Sequence, residues 1–140
     1  MSDLNFDEVI EQICKEDQRF EKGAYYFVRQ ALDYTLQSLL EKGTQRSSNH
    51  VSGGELLEGI RRFALQQYGP MTVTLLKHWG VTCCEDFGDI VFNLVDRQVL
   101  GKTKNDKKQD FTRGYSFEEA FEDPFLPPKL EESEDENGNN

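Results

Sequence analysis

At 140 residues, 36% of them hydrophobic, the chain is sized for one compact core rather than two. Its formal net charge of −10 works against a nucleic-acid or anionic-membrane partner, because like charges repel before a specific contact can form. Glu131, Glu132, Glu134, Asp135 and Glu136, with no base among the last ten residues, supply half of that imbalance. No apolar run approaches the roughly 18 residues of a membrane-spanning helix. Three cysteines, Cys14, Cys83 and Cys84, are an odd number with two adjacent, which argues against a disulfide framework. The start Met1-Ser2-Asp3-Leu4 has no basic stretch followed by an apolar one. A cytoplasmic protein in a reducing compartment is expected.

Asn5 with Glu8 forms a capping-box pattern and predicts a helix start. Phe6, Val9, Ile10, Ile13 and Cys14 then recur at helical spacing and define a core-facing stripe. After Lys22-Gly23 a longer helix is expected through Ala24, Phe27, Val28, Ala31, Leu32, Thr35, Leu39 and Leu40, with Gly43 ending it. Residues 44–50 are polar and read as a surface connection. Ser52 and Glu55 form a second box before Leu56, Leu57, Ile60, Phe63, Ala64 and Tyr68, and Gly69-Pro70 stops that helix and starts another. Residues 71–79 are helical by punctuation, although Thr72, Val73 and Thr74 are β-branched. Thr82 and Glu85 form a third box, followed by Phe87, Ile90, Val91, Leu94 and Val95.

Beyond Leu100-Gly101, the basic run of Lys102, Lys104, Lys107 and Lys108 carries a turn signal at Asn105-Asp106 and reads as a loop or small hairpin. Ser116 and Glu119 predict a short helix carrying Phe117, Ala120 and Phe121 that ends at Pro124, with Phe125 and Leu126 packing back on the body. From Pro127 onward only Leu130 is apolar, too little to offset the entropy of ordering. The expected fold is mainly α, a compact five- to six-helix domain over residues 1–126 with a disordered acidic tail over 127–140. A small β-hairpin near residues 99–115 would make it winged-helix-like.

The chemistry-bearing residues are sparse. Cys83, Cys84 and His78 lie close in sequence, but adjacent cysteines at a helix start point apart and no C-x-x-C is present, so no metal site is expected. A helix dipole could stabilise a thiolate at Cys83 or Cys84, whereas Glu85 and Asp86 oppose one. His50 and His78, the two histidines, are not flanked by a nucleophile motif. Glu85 and Asp89 read as a solvated helix face, and Gly53-Gly54 as part of a cap rather than a phosphate loop. Neither a cofactor nor an enzymatic activity is expected.

In a winged-helix reading, the helix of residues 82–98 would be the reader, with Lys102, Lys104, Lys107, Lys108 and Arg113 meeting nucleic-acid phosphates or an acidic partner. Glu85, Asp86, Asp89 and Asp96 against one Arg97 oppose that use. The motifs His50-Val51-Ser52-Gly53-Gly54-Glu55-Leu56-Leu57-Glu58-Gly59-Ile60-Arg61, Tyr68-Gly69-Pro70, Trp79-Gly80 and Cys84-Glu85-Asp86-Phe87-Gly88 resemble a small bacterial family of uncharacterised proteins. Leu100-Gly101-Lys102-Thr103, Asp110-Phe111, Gly114-Tyr115 and Phe117-Glu118-Glu119-Ala120-Phe121 continue the likeness, which spans roughly residues 5–126. The resemblance implies a bacterial cytoplasmic protein and assigns no activity or binding residue. The favoured expectation is a protein-protein interaction or adaptor module, with Tyr26, Trp79 and Phe92 facing a partner or a second copy. A winged-helix nucleic-acid binder and a small thiol-dependent enzyme are the alternatives.

Overall fold

The computed structural model describes residues 3–43, 51–97, 111 and 114–126. Five α-helices occur there: α1 (Asp3–Glu16), α2 (Lys22–Glu41), α3 (Gly53–Tyr68), α4 (Thr72–His78) and α5 (Cys84–Asp96). A 3₁₀ turn, Gly69–Met71, joins α3 to α4, and the described residues end with a π-helical turn, Glu118–Glu122, and a 3₁₀ turn, Asp123–Phe125. The described residues contain no strand.

The 3.6-residue stripes read from the sequence become the core. Phe6, Ile10 and Ile13 of α1, Ala24, Phe27, Val28 and Ala31 of α2, Leu56, Leu57, Ile60 and Ala64 of α3, and Phe87, Ile90 and Leu94 of α5 are buried in one cluster. Burying each large apolar side chain contributes roughly 1.5–3 kcal/mol. The main helix pair is α2 with α3. It closes tightly because Gly59 of α3 stands opposite the buried Thr35 of α2, where any Cβ would collide with the threonine side chain. Thr35 itself satisfies its hydroxyl by donating to Ala31 O at 2.7 Å.

Two helix starts differ from the sequence reading. The backbone is already helical at Asp3, two residues ahead of Asn5, so Asn5 lies inside the first turn rather than at the cap. At α5 the cap position is Cys83, and no side chain caps it. Instead the Asp86 carboxylate reaches back and accepts from Thr82 N at 2.9 Å and from Thr82 Oγ1 at 3.3 Å, so Asp86 rather than Glu85 closes this end. The box at α3 forms as read: Glu55 N donates to Ser52 Oγ at 3.1 Å and Ser52 N donates to Glu55 Oε1 at 3.0 Å.

A chain of aromatic rings crosses the body. Phe27 of α2 lies 5.7 Å from Phe63, 5.7 Å from Trp79 and 6.3 Å from Phe87. Phe87 continues to Phe117 at 5.7 Å, Phe117 to Phe121 at 5.1 Å, and Phe121 to Tyr115 at 5.7 Å. Such pairs contribute about 0.5–1.5 kcal/mol each beyond their burial. Phe111 and residues 114–121 therefore form a strap anchored through aromatic side chains across α3 and α5. Phe111 packs at Gly88, and the Tyr115 hydroxyl donates to Leu57 O at 2.7 Å.

The hairpin expectation near residues 99–115 is corrected where it can be seen. Of those residues Phe111, Gly114 and Tyr115 are described: Phe111 is buried beside α5, and none of the three is in a strand, while the rest of 99–115 lies outside the described residues. Lys102, Lys104, Lys107, Lys108, Arg113, His50 and the acidic tail of residues 127–140 lie outside the described residues.

Candidate functional site

Where α1 turns into α2, Arg19 is held between two carboxylates. It donates to Asp17 through Nε at 3.0 Å and Nη2 at 2.9 Å, and through Nη1 to Asp89 of α5 at 3.0 Å. Asn93 Nδ2 donates to Asp17 at 3.2 Å and to the hydroxyl of the buried Tyr25 at 2.9 Å. The Arg19 hydrogen bonds hold the Asp17 carboxyl well below the usual carboxylate range, while burial pushes the Tyr25 hydroxyl up to about 12. The Asp89 face that the sequence presents as solvated is thus tied to the α1–α2 connection. This network joins the α1–α2 connection to α2 and α5, and its geometry is that of a lock rather than a reactive centre.

Tyr26, Trp79 and Phe92, the aromatics expected to face a partner, are each half-buried and packed against the core. Tyr26 sets its edge to Phe6 at 5.4 Å and donates its hydroxyl to Asp7, which raises that hydroxyl to about 12. Trp79 stacks between Phe27 and Tyr68 at 5.7 and 6.2 Å. Beside it opens a shallow cleft of about 430 Å³, with Cys14, Lys22, His78 and Trp79 in its wall. The cleft brings together a thiol, an amine and an imidazole, but burial pushes the Cys14 thiol up against the pull of Lys22. Lys22 is itself paired with Glu11 at 2.6 Å. A protonated thiol is a poor nucleophile.

Cys83, Cys84 and His78 are sent to different surroundings. His78 faces the cleft, exposed in the last turn of α4. Cys84 is buried beneath the strap, donates its thiol to Tyr115 O at 3.3 Å, and is pushed up to about 11 by burial. Cys83 is half-buried, with its sulfur 4.0 Å from Glu85 Oε1. Among the described residues no group of three or more His, Cys, Asp or Glu is arranged to hold a metal ion. No described helix is long and apolar enough to cross a membrane.

The face with unspent chemistry is at the other end, after the strap. The π-helical turn aims Ala120 and Phe121 inward and leaves Glu118, Glu119 and Glu122 exposed. Half of the expected cap forms there, with Glu119 N donating to Ser116 Oγ at 3.1 Å. Pro124 sits inside the following 3₁₀ turn, after which Leu126 is extended at ψ 152°. Phe125 and Leu126 are 44% and 58% exposed, so the expectation that they pack back on the body is overturned. Met71, 60% exposed, belongs to the 3₁₀ turn that lies against the π-helical turn. Residues 114–126 contain Glu118, Glu119, Glu122 and Asp123 and no Lys or Arg. The sequence signal for this face was present as an apolar pair between prolines, Pro124-Phe125-Leu126-Pro127, set among acids.

Comparison with protein-family models, with curated proteins and with solved structures gives no match to this chain. Function is therefore read from the residues and their surroundings.

Proposed function

We propose that this chain is a cytoplasmic protein-protein interaction or adaptor module that engages its partner through the face following the strap. The observation that carries this reading is the pair Phe125 and Leu126, held 44% and 58% exposed by a turn whose inward neighbour, Phe121, is 1% exposed. An anchored segment that presents adjacent large apolar side chains to water is the usual composition of a recognition surface, since aromatic anchors supply most of the energy of protein interfaces. Cys14 and Cys84 favour this reading over a thiol enzyme, because burial drives both toward their protonated forms.

The test is affinity purification of the tagged full chain from its native cytoplasm at low and moderate salt, analysing proteins and nucleic acid together. A stoichiometric protein retained at both salts is the expected outcome. Recovery of the chain alone, or of nucleic acid that salt removes, would overturn the reading.

A further inference from the structure

Resting on that reading, we infer that the partner presents an apolar groove rimmed by Lys and Arg, into which Phe125 and Leu126 insert while Glu118, Glu119, Glu122 and Asp123 face the rim. Charge selects this occupant. Residues 114–140 carry nine Asp and Glu against Lys129 alone, a net of −8 within a whole-chain charge of −10. The exposed apolar pair thus sits between two acidic stretches, the π-helical turn before it and residues 131–136 after it.

A second copy docking the same face would bring these like charges together, and an anionic membrane or nucleic acid meets the same repulsion. A cationic rim removes it and speeds encounter, while the aromatic anchor sets the dissociation rate. Met71, 60% exposed, belongs to the turn that lies against the π-helical turn, which makes its methyl a reporter on this side of the body. The buried Phe117 and Phe121 hold the segment just before the pair, and a held segment lowers the ordering cost of binding.

The test uses the full chain and three synthetic helical peptides with the same backbone length: one with a Leu face and a Lys face, one Leu and Gln, and one Lys and Ser. Binding is read by fluorescence anisotropy of the labelled peptide and by methyl NMR of Met71 and Leu126. The Leu/Lys peptide is expected to bind most tightly and to shift both methyl signals. The double variant Phe125→Ser, Leu126→Ser is expected to weaken that binding at least about tenfold. Glu122→Gln with Asp123→Asn is expected to weaken it by a smaller factor that vanishes at high salt. Leu40→Ser removes a 48% exposed leucine at the end of α2 and is expected to leave binding unchanged. Thermal melting of each variant confirms folding.

Equal binding of the Lys/Ser peptide would show that acidic charge alone is being read, and would overturn the inference. So would equal binding of the Leu/Gln peptide, or binding that the Phe125 and Leu126 substitutions leave intact. A stoichiometric cellular partner whose retention is indifferent to the same double substitution would remove this surface and leave the module reading standing. Absence of any cellular partner would remove the module reading itself.

Discussion

At the α1–α2 connection Arg19 sits between the carboxylates of Asp17 and Asp89 while Tyr25 is fully buried behind it; at residues 117–126 the carboxylates stand on the surface and Phe125 and Leu126 face water. Both regions combine acids with aromatic rings, and they use them in opposite senses. In the first, both acids accept from the one guanidinium of Arg19, which ties the α1–α2 connection to α5, so charge and ring together fasten elements. In the second, Phe117 and Phe121 fasten the segment and the acids are left over. The difference teaches that composition alone does not mark a binding face, whereas the separation of anchoring from presenting residues within one short segment does.

The largest expected effect tests the anchoring half. Phe121 is 1% exposed and touches both Phe117 and Tyr115, so Phe121→Ala should destabilise the fold by about 3–5 kcal/mol in chemical denaturation. A loss below about 1 kcal/mol would mean that the strap contributes little and that the aromatic chain ends at Phe87.

Next comes a wedge beneath the strap. A Cβ on Gly114 would stand 2.5 Å from Cys84 Sγ and 3.1 Å from Leu57 Cδ1, so Gly114→Val should cost about 1–3 kcal/mol. The buried Cys84 thiol supplies an independent readout. It should be labelled by a maleimide faster in the variant than in the parent chain, measured on a background where Cys14 and Cys83 are Ser. Unchanged labelling would place the added methyls elsewhere than under Tyr115.

At the opposite region, Asp17→Asn should lower stability by about 1 kcal/mol at neutral pH, a modest value because Arg19 is half exposed. The sign with pH follows from the carboxyl being held below its ordinary value of 3.8 in the folded chain. Its contribution is complete above that value and is lost as pH falls below it, so parent and variant should converge below about pH 4. Denaturation midpoints across that range check this. Curves that stay parallel would assign the stabilisation to something other than the Asp17 charge.

The helices of this fold were legible wherever burial follows a single helical period, as in Phe87, Ile90 and Leu94 of α5 or Ile60 and Ala64 of α3. Capping was legible at Ser52 and Glu55, where donor and acceptor are three residues apart, and misread at α5, where Asp86 reaches past the cap to Thr82. What periodicity could not carry is contact across the chain. Trp79 and Tyr26 meet Phe27 and Asp7, which lie 52 and 19 positions away. The strap was hidden for the same reason, since Tyr115 bonds to Leu57 and Phe111 meets Gly88 across long separations. The expectation for Phe125 and Leu126 differs from the structure because the side of the Asp123–Phe125 turn that faces water follows from how Phe117 and Phe121 dock, a tertiary contact that composition does not set.

The smallest expected effect on stability is the one that sharpens the comparison most. Phe125→Ala and Leu126→Ala each remove apolar atoms that water already reaches, so the transfer and cavity terms that make Phe121→Ala costly are largely absent. Each should leave stability within about 0.5 kcal/mol of the parent chain. The measurement is the same denaturation experiment, run beside Phe121→Ala so that two phenylalanines four residues apart are compared directly. A cost at Phe125 near that at Phe121 would mean the side chain is held against the body in solution, and the presenting half of the segment would then have no residue left to present. A cost near zero would leave Phe125 a large apolar group retained at the surface without benefit to the fold, which is the property a recognition anchor requires.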